Sequence, residues 1–400
     1  MILFTPAQQF IPIAHALQQK GHNIATLSGP FTDTLRKLDI PARTIGDWGN
    51  GLQEQALIEA GKIVKSAMSP VSTAGLGVGP TKFMEEKRGA FIYNKMHDLA
   101  LLTLCLDKAQ PELAIMQNDV EPLNRVIALW CDKNRVPCLH VPHAVYQDIN
   151  RGPAGTDIHD KVTASHIAVA GSFQHKWYQM RGVSPGHMAE TGLPQFDRWA
   201  KGPIERQRAQ RLLKLDPEKP TIIYGSTWPQ GTNILGINDE WMVTYLSFLE
   251  AVKSMSPQPN VLVIVHRSGG EQNWQWHVQV AQNMGVKAAI SPHHFDMMLA
   301  AGDAFLAFGG SNMLLDGSHV PGLRLLSTHG YDNDPEVTRV EMNPADIKAK
   351  LQAVLSAPRG DLGRFQTKWL GWVDGGNAGR VVAFADGLAG RKLGRKRRRK

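Results

Sequence analysis

The sequence predicts an α/β protein with two doubly wound units, each a parallel sheet with helices on both faces. Short apolar runs of strand length alternate with helix-length segments from the first residue onward. This alternation stops near residue 195 and then starts afresh. A length of 400 residues suits two or three domains. The composition, with 42% hydrophobic residues, is that of a folded protein and excludes a disordered, collagen-like or disulfide-stapled chain.

The first half opens with a strand–helix–strand unit. Apolar residues at 1–5 predict a strand, residues 11–20 carry apolar side chains at helical spacing, and Gly21 ends that helix. Two segments with several Gly and Pro residues, 66–80 and 146–161, are predicted loops. The other predicted elements of this half are strands at 24–27, 112–116, 138–141 and 167–170 and helices at 121–133 and 173–180.

The second half repeats the pattern. Its predicted strands are 221–224, 261–265, 286–290, 304–308 and 323–326, and its predicted helices are 240–253, 273–284, 295–301 and 312–319. In two such units placed in tandem, the carboxyl ends of the strands line facing crevices, where ligands bind. We therefore predict an active site in a cleft between two domains. The predicted divisions are 1–190, a hinge at 191–198, 199–388 and a tail at 389–400.

The positive charge of the chain lies in its last ten residues. Lys and Arg together number 44 and Asp and Glu 36, which gives a net charge of +8. A block of like charges stays disordered and is typical of an interaction arm, for nucleic acid or for an anionic membrane surface. A solubility or localisation arm is the alternative. The eight basic residues of this block, whose charge equals the net charge of the chain, are Arg391, Lys392, Arg395, Lys396, Arg397, Arg398, Arg399 and Lys400.

The spacing of the cysteines and the length of the apolar stretches predict the cellular compartment of the protein. The three cysteines, Cys105, Cys131 and Cys138, have no CxxC spacing, which favours reduced thiols in a cytoplasmic protein and disfavours a zinc site. No stretch approaches the ~20 apolar residues that a membrane span needs. The N-terminus lacks the basic region of a signal peptide.

The opening of the chain resembles a known family. The segment FTPAQQFIPIAHALQQKGHNIATLSGP is similar to the first strand–helix–strand unit of the GT-B glycosyltransferases. Gly21 and His22 match the second Gly-His pair of that family, and Pro12 matches the proline of its first signature. Gln8 and Gln9 stand where the family often has Gly-His, whose histidine is the catalytic base. That role is therefore not carried over to this loop.

Five motifs extend the resemblance to the second half. In order and spacing they are similar to the nucleotide-binding domain of the GT-B superfamily, nearest its CDP-glycerol glycerophosphotransferase branch. The resemblance implies the GT-B fold, in which two Rossmann-like domains face each other across a cleft. The motifs are TGLPQFD at 191–197, a strand that ends in Thr227-Trp228, a strand that ends in His266-Arg267, an Asp-x-x-Leu-x-x-x-Asp run from Asp296 to Asp303, and the turn Gly309-Gly310-Ser311-Asn312 before a helix with Asp316.

The resemblance implies that the turn at 309–312 binds the diphosphate of a nucleotide donor. Gly309, Gly310 and Ser311 lie between a predicted strand and a predicted helix, where exposed backbone N–H groups and the helix dipole bind phosphate. The competing interpretation is a capped helix, because Ser311 and Asn312 are good N-cap residues. Asp316 is predicted to bind the ribose hydroxyls, and the alternative is a solvated surface acid.

Two strand ends are predicted to complete the donor site. His266 ends the most apolar strand, and with Arg267 it would donate to the charge that develops on a leaving phosphate. A structural histidine that caps the strand is the alternative. Ser226 and Thr227 resemble a second phosphate clamp, and Trp228 either stacks on the nucleotide base or packs in the core.

The catalytic base is predicted in the first half. His143 follows the strand at 138–141, and the transferase branch has a histidine after the matching strand that acts on the acceptor. Imidazole titrates near neutral pH, which makes His143 the best candidate. Asp148, Asp119 and Glu121 are alternatives that would orient it or replace it. A histidine that only hydrogen-bonds within its loop is equally consistent with the sequence.

The resemblance implies a glycosyltransferase with a nucleotide-activated donor, a UDP-sugar being favoured, and with no tightly bound cofactor or metal ion. The neutral body and basic tail favour a polyanionic acceptor, with DNA first and a hydroxylated base in phage-type modified DNA as the specific prediction. The alternatives are an envelope polymer as acceptor, a sugar-nucleotide epimerase, and a non-catalytic nucleic-acid-binding protein on a degenerate GT-B fold. The oligomeric state is not determined by the sequence.

Overall fold

The first half of the chain forms a parallel sheet of seven strands in the order β3-β2-β1-β4-β5-β6-β7. Its strands are β1 (Ile2–Phe4), β2 (Ile24–Thr26), β3 (Ala42–Thr44), β4 (Leu113–Met116), β5 (Cys138–His140), β6 (His166–Val169) and β7 (Met188–Glu190). Its helices are α1 (Ile11–Gln19), α2 (Gly29–Lys37), α3 (Gln53–Ala67), α4 (Val78–Ala109), α5 (Pro122–Asn134) and α6 (Ser172–Met180). This computed structural model describes residues 1–67, 78–118, 121–145, 162–226, 240–266, 270–309, 311–331, 334–358 and 360–391.

The second half forms a parallel sheet of six strands in the order β10-β9-β8-β11-β12-β13. Its strands are β8 (Thr221–Gly225), β9 (Asn260–Ile264), β10 (Ala288–Ser291), β11 (Ala304–Ala307), β12 (Arg324–Ser327) and β13 (Val337–Arg339). The helices that follow α6 are α7 (Arg206–Leu212), α8 (Glu240–Lys253), α9 (Gly270–Asn283), α10 (Phe295–Ala301), α11 (Met313–Gly317), α12 (Pro344–Ser356), α13 (Gly363–Trp369) and α14 (Asn377–Leu388).

The predicted strands all form, and the strands that the sequence analysis missed lie at sheet edges. The missed strands β3, β7 and β13 have three residues each, and each buries only its first residue fully. An apolar run of detectable length is therefore absent from them. Of the predicted loop 66–80, residues 66–67 belong to α3 and 78–80 to α4, whereas 68–77 lie outside the described residues. The predicted loop 146–161 lies wholly outside them.

Both faces of the first sheet are buried, as a parallel sheet requires. Side chains alternate along β1, so Phe4 packs in a cluster with residues of α1, α2 and α14. Leu3 points to the other face and packs in a cluster with residues of α4 and α5. The three cysteines are buried free thiols. Among the described helices, none combines the length and the apolar character of a membrane span.

The segment at 191–197 binds the start of the last helix. Both carboxylate oxygens of Asp197 accept backbone N–H groups of the first turn of α14, from Asn377 at 3.0 Å and from Ala378 at 2.7 Å. The Asn377 side chain donates to the Leu193 carbonyl at 3.1 Å. Gly192 has φ +70°, and a Cβ there would collide with the Asn377 carboxamide. A carboxylate at a helix N-terminus satisfies two N–H groups that the helix itself leaves unbonded.

Helix α14 belongs by its packing to the first sheet. Its buried residues Val381, Ala385 and Leu388 lie in the same cluster as Phe4. At its far end, Asp386 pairs with Lys20 at 2.7 Å and His22 at 2.9 Å. The division of the chain into 1–190 and 199–388 stays a prediction; the last helix contacts the first of those two units.

We expect Asp197→Ala to lower the free energy of unfolding by about 1–2 kcal/mol, because α14 loses the acceptor for its first two N–H groups. Urea denaturation measures the change. Asp33→Ala is the control, since Asp33 is an exposed helical acid 3.7 Å from Arg36 and its loss should change stability by no more than about 0.5 kcal/mol. Equal losses in the two variants would contradict the capping role.

Candidate functional site

Polar groups converge at the carboxyl edge of the second sheet. Ser226 follows β8 and is buried, and its Oγ accepts the backbone N–H of His266 at 3.0 Å. His266 follows β9, and its side chain reaches the surface. Burial lowers the pKa of the His266 imidazole. A direct hydrogen bond therefore joins the ends of β8 and β9, and the donor-binding roles of Ser226 and His266 stay predictions.

The backbone conformation and the packing of Gly309 account for a glycine at this position without any role in ligand binding. This residue has φ +64°, and a Cβ there would lie 2.8 Å from Nε2 of His329. Its N–H donates to Thr328 Oγ1 at 2.9 Å, and its carbonyl accepts from Ser327 Oγ at 2.6 Å. The Gly309 N–H is thus directed into the protein, so diphosphate binding by this turn would depend on Gly310, which lies outside the described residues, and on Ser311.

Ser311 and Asn312, the last two residues of the turn, do not both cap α11 as the alternative interpretation expects. Ser311 Oγ accepts the Met313 N–H at 3.3 Å, which caps α11. Asn312 makes no capping bond. Instead its Oδ1 accepts the Val145 N–H at 2.8 Å, and its Nδ2 donates to the Val145 carbonyl at 3.4 Å. Asn312 therefore joins the second sheet's loop to the loop that carries His143.

Asp316 is a paired carboxylate and not the solvated acid of the alternative interpretation. Its Oδ1 accepts from Arg198 Nη2 at 2.7 Å and from Trp199 Nε1 at 2.8 Å. Its side chain is only 15% exposed. Burial raises the pKa of Asp316 to about 6 and outweighs the opposing effect of Arg198 and Trp199. Binding of ribose hydroxyls by Asp316 stays a prediction.

His143 lies in the loop that follows β5 and is exposed. Its Nδ1 lies 3.4 Å from the Gln117 carbonyl oxygen, at the end of β4. A carbonyl only accepts, so this contact places the proton on Nδ1 and leaves Nε2 as the basic nitrogen. Glu121, one of the alternatives, immediately precedes α5 and is exposed.

Several predicted site residues lie outside the described residues, and their roles stay predictions. Arg391 is described and exposed. The undescribed ones are Asp119, Asp148, Thr227, Trp228, Arg267, Gly310, Lys392, Arg395, Lys396, Arg397, Arg398, Arg399 and Lys400. Across the ranges that the structure describes, no group of three or more His, Cys, Asp or Glu side chains is arranged to hold a metal ion.

Two further histidines, one at the carboxyl edge of each sheet, were not singled out from the sequence. His140, the last residue of β5, is buried, and its Nε2 lies 3.1 Å from the Gln117 carbonyl. His329 lies beside Gly309 and its Nδ1 is 3.2 Å from Thr328 Oγ1. The signal that identifies His266, a histidine shortly after an apolar strand, applies to His329 as well, because it follows the predicted strand 323–326.

Solved structures share this fold across nearly the whole chain. The UDP-GlcNAc 2-epimerase from Neisseria meningitidis bound to UDP-GlcNAc is 11% identical, with 96% of this chain and 98% of that chain covered and a TM-score of 0.57. The S. aureus MnaA–UDP structure is 10% identical, with 99% of each chain covered and a TM-score of 0.57. The wall teichoic acid polymerase TagF is 11% identical, with 97% and 88% covered and a TM-score of 0.51.

These likenesses confirm the GT-B fold that the sequence resemblance predicted. At 10–11% identity they show the arrangement of the chain and not its activity. No protein-family model matches the chain, and no curated protein matches it either.

We expect Asp316→Asn to change how stability depends on pH. With a native pKa raised from 3.8 to about 6, the folded protein keeps a proton that the unfolded chain has already released, so ionisation of Asp316 costs stability as the pH rises. Relative to the variant, the wild type should lose about 2 kcal/mol of unfolding free energy between about pH 4 and pH 7. Urea denaturation of both proteins across this interval measures the difference. A difference that is constant with pH would contradict the raised pKa.

Proposed function

We propose that the protein transfers a sugar from a nucleotide-activated donor, a UDP-sugar, to an acceptor hydroxyl. The observation that carries the proposal is the Asn312–Val145 contact, which brings the donor turn at 309–312 up to the loop of His143. The candidate phosphate-binding turn and the loop with the exposed His143 imidazole are therefore in direct contact. Solved structures of this fold that are named as holding UDP-GlcNAc or UDP support the donor class.

The donor side is proposed to bind the diphosphate with groups from three strand ends. Burial lowers the pKa of His266, which favours the neutral imidazole, and a neutral His266 would donate one N–H to a phosphate oxygen without supplying charge. Arg267 would supply the positive charge, and the N–H groups of Gly310 and Ser311 would bind the remaining oxygens. The Ser226 hydroxyl orients the backbone of His266.

The acceptor side is proposed to deprotonate the attacking hydroxyl. Nε2 of His143 takes the proton while the Gln117 carbonyl holds Nδ1–H, which fixes the tautomer. The hydroxyl oxygen then bonds to the anomeric carbon of the donor sugar. The bond from that carbon to the diphosphate breaks, and the nucleoside diphosphate leaves with the electron pair, stabilised by His266 and Arg267. Exclusion of water from the crevice prevents hydrolysis of the donor.

Sugar-nucleotide epimerisation is the second candidate. The likeness to UDP-GlcNAc 2-epimerases, at TM-scores of 0.57 over 96% of this chain, favours it specifically. An epimerase would use the same donor site but would interconvert two sugar nucleotides without an acceptor. Incubation with UDP-GlcNAc alone, followed by chromatography of the sugar nucleotides, distinguishes the two, because a new isomer in the absence of any acceptor would establish epimerisation.

The first experiment is thermal denaturation with UDP, GDP, CDP and their sugars. A ligand that binds only the folded state raises the melting temperature, by an amount that grows with ligand concentration over Kd. A shift with UDP compounds supports the donor class. The absence of a shift with every nucleotide would overturn the proposal. Sugar nucleotides that raise the melting temperature are then tested as donors in sugar-transfer assays. The acceptors are DNA with hydroxymethylated bases and teichoic-acid polymers.

We expect His266→Ala to weaken UDP binding, by about 10-fold on the usual contribution of one hydrogen bond to a charged oxygen. His143→Ala should lower kcat by about 100-fold or more while the UDP affinity changes little, because a general base acts only in the chemical step. Calorimetry gives the affinities and initial rates give kcat. His15→Ala, an exposed histidine of α1, is the control. Equal losses of UDP affinity in both site variants would refute this division of roles.

We expect removal of residues 391–400 to raise KM for a DNA acceptor at low salt, because the eight basic charges attract phosphate independently of sequence. The effect should vanish as salt rises, and kcat should stay the same. An unchanged KM on a polyanion at low salt would leave no role for the tail in acceptor binding.

A further inference from the structure

We propose that three side-chain carboxamides, those of Gln174, Gln195 and Asn312, act together as positioning groups for His143. We call them the amide cradle. The proposal rests on the proposed function only for its catalytic consequence, because the cradle itself is a set of contacts within the chain. Its role is to hold the loop at 141–145 in one conformation and, through Asn312, in one position relative to the donor turn.

The cradle binds three consecutive carbonyls of the loop. Gln195 Nε2 donates to the His143 carbonyl at 3.1 Å, Gln174 Nε2 to the Ala144 carbonyl at 3.3 Å, and Asn312 Nδ2 to the Val145 carbonyl at 3.4 Å. Three backbone acceptors in a row are thus satisfied by side chains from three different elements. A loop with no strand partner would otherwise leave these carbonyls to water.

Two of the three carboxamides, those of Gln174 and Asn312, also accept a hydrogen bond from the backbone. Gln174 is fully buried on α6, and its Oε1 accepts the Ala170 N–H at 2.6 Å. Asn312 pairs with both backbone groups of Val145, as a peptide group of a neighbouring strand would. The Val145 side chain is 1% exposed and packs in one cluster with Leu314 of α11. The loop is therefore anchored to α11 by hydrogen bonds and by apolar packing.

A side-chain amide is a suitable neighbour for a general base such as His143. Carboxamides donate strong hydrogen bonds without a charge, whereas Lys or Arg at the same positions would disfavour the protonated imidazole. Ser311, and not Asn312, caps α11, so the Asn312 side chain is left to reach across the crevice. Asn312 is also the one member of the cradle that lies on the donor turn. We therefore assign Asn312 the role of fixing the donor turn relative to the His143 loop. The sequence suggested a donor-binding role instead.

The test compares Asn312→Ala and Gln195→Ala with Asn343→Ala. Asn343 is a matched control because it is an asparagine at a helix N-terminus whose side chain accepts the Asp346 N–H at 2.9 Å, far along the chain from the crevice loops. Hydrogen exchange of the Val145 amide is measured without any ligand. We expect Asn312→Ala to raise its exchange rate about 10-fold or more, because its acceptor is removed, and Asn343→Ala to leave it unchanged.

The catalytic consequence is measured on the same variants. We expect kcat to fall about 10- to 100-fold in Asn312→Ala and Gln195→Ala, as misplacement of a catalytic group by about 1 Å does. The UDP Kd should change less than about 2-fold, and the pH midpoint of kcat should not move, because no charge is removed. Asn343→Ala should change neither kcat nor Kd.

The outcomes separate this proposal from the proposed function. If the Val145 amide exchanges at the same rate in Asn312→Ala as in the wild type, the cradle proposal is wrong, whether or not the wild type binds UDP. A loss of UDP affinity as large as the loss of kcat also overturns it, since Asn312 would then be a donor ligand. If the wild type binds no nucleotide, the proposed function fails and the exchange result still decides the cradle. If Asn312→Ala does not fold, the Val145 amide exchange is measured in Gln195→Ala, which removes the donor to the His143 carbonyl; unchanged exchange there also overturns the cradle.

Discussion

The segment that connects the two sheets is bonded to the last helix through Asp197, whose carboxylate accepts two N–H groups at the start of α14. Asp197 lies between the two sheets in sequence, whereas α14 packs on the first sheet after the chain has completed the second. The carboxylate thus ties the connecting segment to the returning chain. A carboxylate forms stronger hydrogen bonds with helix N–H groups than a neutral acceptor does.

The same connecting segment contacts loops of both sheets. With the connecting segment held on α14, its Gln195 reaches the His143 carbonyl, and its Arg198 and Trp199 reach Asp316 on α11. The same segment therefore contacts the candidate base on one side and the helix after the donor turn on the other.

Most of the described strands could be predicted from the sequence within a few residues, because parallel strands buried on both faces read as uninterrupted apolar runs. About half of the described helices were predicted. Edge strands such as β7 have no such run and were missed. The return of α14 to the first sheet was missed for another reason. Its apolar face, with Val381 and Ala385, predicts burial but does not identify the partner, because apolar contacts are non-directional.

For the site, the sequence by itself determined which residue types stand at the ends of strands, and the placement of Ser226, His266 and Gly309 at one edge follows from parallel topology. Only the tertiary structure decided where their hydrogen bonds go. The Gly309 N–H turns to Thr328, and Asn312 turns to Val145, 167 residues away, instead of capping its own helix. A carboxamide bonds to whichever backbone group lies within reach, and which group does so depends on the packing of the two sheets, so no local pattern encodes it.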